Sequence, residues 1–182
     1  MFDRMKACGK VTVRILDENG KVKTKPPGPI RKLLGLPGKK MEQTRHNIIT
    51  NQGDALLADL LSNTPVKTKL DNTNAKIAVG TGYTGVSTKS NTGCNTPRGS
   101  RRSMDSGYPQ IKGAFGATDD NVVIYRATFP QYSLNYTGID EASLHNAATD
   151  GECLAYAQIS PYVNMTNNDT LQIEWEITFL GT

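Results

Sequence analysis

The chain has 182 residues, 37% of them hydrophobic, which is enough for one ordinary domain with a real core and too few for two large ones. Its apolar runs, such as residues 77–79 and 122–124, last only a few residues, so no segment reads as a bilayer-spanning helix of about 20. The formal net charge of +4 conceals an asymmetry: residues 1–45 hold 12 Lys or Arg against 4 Asp or Glu, and residues 46–182 hold 9 against 13.

That split predicts a basic arm carried on an acidic body, with an acidic partner for the arm. The first residues, "MFDRMKACGKVTV", contain no apolar h-region, so a soluble protein made in a cytoplasm is expected. Residues 10–25, "KVTVRILDENGKVKTK", alternate Val11, Val13 and Ile15 with polar neighbours and reach Asn19-Gly20. This pair suits a type I′ turn, so the segment predicts a hairpin.

Residues 26–40, "PPGPIRKLLGLPGKK", carry four prolines and three glycines and read as an extended arm, since neither a continuous helix nor a ladder strand tolerates that content. A merely flexible linker has no use for Ile30, Leu33, Leu34 and Leu36 beside Arg31, Lys32, Lys39 and Lys40. These eight residues are the expected partner-binding set of the arm. Further on, "HNIITNQGDALLADLLSN" predicts the one good helix, over residues 52–61, with Asn51 as N-cap and Asp54 at the positive end of its dipole.

Residues 76–79 read as a short strand that runs into Gly80, Gly82 and Gly85, which together match G-x-G-x-x-G. A dinucleotide site needs a helix opening on the third glycine, because the pyrophosphate rests on that helix's free N–H groups. The residues after Gly85, "VSTKSNTGCNTPRGSRRS", have no apolar helical stripe, meet a proline at Pro97, and begin Val86-Ser87 where a P-loop needs Lys followed by Ser or Thr, so the phosphate-binding Lys is missing. The glycines are therefore expected to serve a strand-end turn, and no cofactor is expected.

Residues 91–120 form a long Ser/Asn/Gly-rich stretch that includes Arg98, Arg101 and Arg102. Loops of that length tend to be functional, so these arginines join the expected contact set. A grip on phosphates and a protein interface explain them equally well. No aromatic interleaves with them before Tyr108, so nucleic-acid stacking has weak support. Residues 121–130 and 152–159 read as strands. The closing "TLQIEWEITF" alternates Leu171, Ile173, Trp175, Ile177 and Phe179 against Gln172, Glu174, Glu176 and Thr178. Short alternating strands parted by Gly, Asn and Pro turns predict an all-β, antiparallel, jelly-roll-like sandwich with one short helix and an extended basic N-terminal arm. The expected organisation is residues 1–45 as hairpin and anchoring arm and residues 46–182 as the sandwich domain.

Cys8, Cys94 and Cys153 are too scattered and too odd in number for a disulfide framework and read as free thiols. His46 and His145 have no ligands at metal spacing, so no metal is expected. A Cys/His nucleophile pair can meet only in the fold. The adjacent carboxylates Asp119-Asp120 and Asp140-Glu141 point to opposite strand faces and read as turn caps. Catalysis is not expected.

The order of "VRILDENGKV", "RHNIITNQGDALLADLL", "KIAVGTGYTG", "SMDSGYP", "VVIYRATFP" and "GIDEASLHNAATDGECLAYAQISPYVNMTNNDTLQIEWEITF" resembles a group of small virion structural proteins of tailed bacteriophages. The resemblance covers about two thirds of the chain and is clearest in its C-terminal half. It implies a jelly-roll capsid decoration or cement protein on the outside of the head, made in the host cytoplasm and bridging copies of the major capsid protein as a homo-oligomer, dimer or trimer. It implies neither nucleic acid nor membrane as partner. The alternatives are a tail or fibre adaptor and a glycan-binding sandwich using Tyr132 and Tyr136.

Overall fold

The computed structural model describes residues 6–180. The chain forms β1 (Lys6–Leu16), β2 (Thr24–Lys25), α1 (Pro29–Leu33), β3 (Lys39–Lys40), β4 (Glu42–Ile49), α2 (Asn51–Leu60), β5 (Lys76–Gly80), β6 (Pro97–Ser103), β7 (Gln110–Ile111), β8 (Val122–Phe129), β9 (Ile139–His145), β10 (Cys153–Val163) and β11 (Thr170–Leu180). Nine strands make one antiparallel sheet in the order β6-β5-β9-β10-β4-β1-β11-β8-β7, and β2 pairs only with β3. The expected all-β antiparallel sandwich is thus what forms, with two helices where one was expected.

The sheet curls until its ends meet. The backbone N–H of Asp105, just past β6, donates to the Arg126 carbonyl of β8 at 2.7 Å, and the Arg102 guanidinium donates to the Thr128 carbonyl at 2.8 Å. The Asp105 carboxylate completes the seam, accepting from Thr128 N–H (2.9 Å) and from Arg126 Nε (3.0 Å). Curling encloses a core that includes Val11, Val13, Ile77, Ala127, Phe129, Leu144, Leu171, Ile173 and Trp175.

β11 follows its period of two: Leu171, Ile173, Trp175 and Ile177 are buried and the intervening polar residues are half-exposed. Trp175 faces Val11 on one side and Tyr125 on the other across the ladders. On the opposite face charges alternate across strands, Lys10 with Glu176 (3.1 Å) and Arg14 with both Glu42 (2.6 Å) and Glu174 (3.3 Å). Burial pushes the Glu176 carboxyl up, but bonds from Lys112 and Lys10 outweigh it and hold the group below its ordinary value.

The boundary expected after residue 45 marks no division of this sheet. β1 lies between β4 and β11 in its middle, and β4 runs across position 45. β4 also links the two halves of the curl, pairing Glu42 to Asn47 with β1 and Ile48–Ile49 with Tyr156–Ala155 of β10. The helix α2 starts one residue earlier than expected. Its N-cap is Thr50, whose hydroxyl accepts from Gly53 N–H at 3.0 Å and donates to the Cys153 carbonyl. A side chain at Gly53 would place its Cβ 2.2 Å from the Leu154 carbonyl, so the glycine lets α2 lie flat on β10.

Candidate partner-binding arm

The arm is residues 21–41, which leave the sheet between β1 and β4. The chain turns at Asn19-Gly20, but not through the expected type I′ turn: of the pair only Gly20 has a positive φ, +74, and the turn is one residue longer, with Gly20 N–H bonded to the Asp17 carbonyl at 3.0 Å and Asp17 N–H to the Lys21 carbonyl at 2.8 Å. The returning segment pairs only briefly, through a Leu16–Val22 bridge and a bond from Lys23 N–H to Ile15 carbonyl at 2.8 Å. β2 and β3 then zip the base of the excursion, and Met41 N–H closes it on the Lys23 carbonyl at 2.7 Å. Gly38 is required there, because a Cβ would fall 2.0 Å from the Lys25 carbonyl.

Beyond this base the expected extended chain is instead a compact loop containing α1. Pro29 occupies the first helical position, where its missing N–H costs nothing, and Gly35 leaves the helix at φ +66. The Arg31 guanidinium folds back and donates twice to the Pro37 carbonyl, at 3.1 and 3.0 Å. None of the apolar side chains docks on the body: Leu33 is 86% exposed, Ile30 75%, Leu34 63% and Leu36 44%. Between Asn19 and Met41 stand seven Lys or Arg and no Asp or Glu. Among the described residues only Lys23 of these seven forms an ion pair, with Asp169 at 2.6 Å. Burial raises the Asp169 carboxyl, but the Lys23 and Thr166 bonds outweigh it and hold the carboxyl below its usual range.

The other expected contact residues fare differently. Residues 97–103 are a strand, β6, where a loop was expected. Arg98 donates to Thr81 Oγ1 at 2.9 Å and lies over the Tyr136 ring at 5.4 Å. Arg101 donates to the carbonyls of Ala147 (3.0 Å) and Asp150 (2.6 Å), and Arg102 to Thr128. These three brace the edge of the sheet, while the arm leaves from its middle, so the eleven residues do not form one surface. Tyr136, covered by Arg98, and the exposed Tyr132 likewise form no shared aromatic platform.

The glycine-rich stretch serves close approach. No helix begins after Gly85; residues 86–96 are irregular. They return so that the buried Glu141 carboxylate accepts from the backbone N–H groups of Gly82 (3.0 Å), Asn95 (2.9 Å) and Thr96 (3.0 Å) and from the Tyr156 hydroxyl (2.6 Å). A Cβ on Gly80 would meet Glu141 Oε1 at 2.3 Å, and one on Gly82 would meet Thr96 Oγ1 at 2.4 Å. Asp140 caps the same turn through Tyr83 N–H at 3.1 Å. The Asp140-Glu141 pair reads as turn caps in the sequence, and no local signal there marks Glu141 as the buried tie.

The fold also gathers Cys94, Ser143 and His145, with Cys94 Sγ 3.2 Å from Ser143 Oγ and Ser143 Oγ 2.8 Å from His145 Nε2. Burial pushes the Cys94 thiol far up, and burial together with Arg101 holds His145 down at about 3. Both groups are therefore neutral near pH 7, Ser143 and His145 are sealed from solvent, and the trio lacks the thiolate–imidazolium character of an activated nucleophile. Among the described residues no three His, Cys, Asp or Glu side chains converge as a metal would require. No family model, curated protein or solved structure matches the chain.

Proposed function

We propose that this protein is a structural component of a bacteriophage virion that docks through its arm on an acidic protein surface, as a capsid decoration or cement protein does on the outside of a head. The observation that carries the reading is the tip itself: four large aliphatic side chains held out in water, in a segment from Asn19 to Met41 that has seven cations and no acid. Apolar groups presented in this way gain roughly 25 cal/mol per Å² when a partner covers them. Lysines around them speed approach and set register more than they add affinity. The sandwich behind the arm is closed on itself by the Asp105 seam, which suits a rigid body carrying one projecting contact. The phage context, the major capsid protein as partner and the homo-oligomeric state come from the resemblance of the C-terminal half to small virion proteins.

The test is co-sedimentation of the purified chain with heads stripped of it and, separately, with purified tails. Saturable binding to heads is expected, weaker in high salt and lost in Leu33→Ser with Leu34→Ser. Binding to tails alone would replace decoration by the adaptor role, and undiminished binding of the double variant would remove the arm from the function.

A further inference from the structure

Resting on that docking role, the geometry points to one occupant for the arm: residues 28–37 are a pre-folded knob, braced by Arg31, that seats in an apolar protein pocket rimmed by carboxylates. The tip is closed by its own bonds before any partner arrives. Lys32 N–H donates to the Gly28 carbonyl (2.9 Å), Leu34 to Ile30 (3.1 Å), Gly35 to Lys32 (3.2 Å) and Leu36 to Arg31 (2.8 Å). Pro29 and Pro37 have no N–H to satisfy. A loop whose backbone is partly paired already leaves fewer polar groups to desolvate, and the order it has before binding does not have to be created at the interface.

Arg31 holds this shape. Its two bonds to the Pro37 carbonyl join the start of α1 to the end of the loop, which keeps Ile30, Leu33, Leu34 and Leu36 projecting. Its fork is turned onto the Pro37 carbonyl, so Arg31 is a positioning residue; of the five other arm cations without an ion pair among the described residues, Lys32, Lys39 and Lys40 lie within or next to the tip and face the partner, while Lys21 and Lys25 stand at the base. The chemistry of the occupant is set by what the tip contains. Aliphatic groups gain nothing from phosphates, and residues 19–41 contain no aromatic on which a base could stack, which argues against nucleic acid. A lipid surface is met by long amphipathic helices with aromatic anchors, whereas α1 has 5 residues and the arm no Trp or Tyr. A pocket of apolar side chains edged by Asp and Glu complements the knob in both respects.

Two measurements decide it. Hydrogen exchange on the free protein should show the Leu34, Gly35 and Leu36 amides protected, and that protection should fall in both Arg31→Met and Arg31→Lys with the melting temperature unchanged. Unprotected amides in the parent protein would overturn the pre-folded knob whatever it binds. Binding to stripped heads should then weaken about tenfold in Arg31→Lys, although the charge is kept, and the dependence of affinity on salt should stay that of the parent. Lys39→Gln with Lys40→Gln should instead flatten the salt dependence. If Arg31→Lys binds as the parent does, Arg31 acts as a charge at the contact and the brace is refuted. Should the parent bind vesicles of equimolar phosphatidylcholine and phosphatidylglycerol, or duplex DNA, as tightly as heads, the protein pocket is refuted. A parent chain with protected tip amides that binds no head at any salt overturns the decoration reading, and with it the pocket but not the knob.

Discussion

Glu141→Gln tests the tie between the glycine-rich turn and the sandwich at nearly constant side-chain volume. The native carboxylate accepts four hydrogen bonds, Gly82 and Thr96 on Oε1 and Asn95 and Tyr156 on Oε2. In the amide, the remaining oxygen can keep Gly82 and Thr96, but each bond falls from charge-assisted to neutral, a loss of about 1 kcal/mol apiece. The new NH2 faces the Asn95 N–H, donor against donor, while the Tyr156 hydroxyl can rotate to accept. A stranded N–H costs about 1–3 kcal/mol, and the exposed position of Asn95 puts this one at the lower end. The sum is about 3 kcal/mol, or about 6–12 °C in Tm for a domain of this size. Thermal unfolding followed by far-UV circular dichroism gives the shift, and hydrogen exchange gives its location. The Gly82, Asn95 and Thr96 amides should open about a hundredfold more often, since 1.36 kcal/mol is a factor of ten. A variant that melts with the parent, or whose added exchange is spread evenly over the sheet, would show that Glu141 does not tie these loops.

Trp175→Ala should cost about 3–5 kcal/mol by urea unfolding, since the indole is fully buried between Val11 and Tyr125. Trp175→Phe should cost clearly less, because the indole Nε1 has no partner to lose; equal losses would contradict the packing described. The folded His145 stays neutral down to about pH 3, held there first by burial and then by Arg101, whereas an unfolded histidine takes up its proton near pH 6.5. Stability present above about pH 6.5 is therefore lost as pH falls toward 3, by up to about 1.4 kcal/mol per pH unit, and His145→Gln should flatten that slope; an unchanged slope would mean His145 is not the group responsible. Leu33→Ser with Leu34→Ser should leave stability within about 0.5 kcal/mol of the parent, because both side chains already face water, and a larger loss would mean that they pack on the body in solution.

Patterns that repeat along the chain were legible, and partners far apart in it were not. The strict alternation of β11 and the existence of a turn at Asn19-Gly20 arise from local backbone geometry, so both could be read directly, whereas the turn's type could not. The same alternation says which face of β1 is buried but not which strands flank it, so the segment read as part of an arm sits at the middle of the sheet between β4 and β11. β6, "PRGSRRS", has no strand propensity to read. It is held by pairing with β5 and by arginines bonded to carbonyls of other segments. The Glu141 tie spans 59 residues to Gly82 and 45 to Thr96, and nothing in a single sequence joins such positions. In the arm, composition shows the apolar and basic character of the tip, while Arg31, read as a contact, closes the loop because Pro37 offers its carbonyl there. The place of β1 also changes how the arm can be removed. Deleting residues 1–45 would take away β1, so the informative variant replaces residues 26–38 by Asn-Gly, a two-residue turn that joins the paired Lys25 and Lys39.

The most direct measurement is a density map of the virion into which this chain can be traced. The chain should lie on the outside of the head, with Ile30, Leu33, Leu34 and Leu36 covered by a neighbouring protein subunit and carboxylates beside Lys32, Lys39 and Lys40. A map that places the chain at the tail, or on the head with residues 28–37 in solvent and contact made through another face of the sandwich, would contradict docking through the arm.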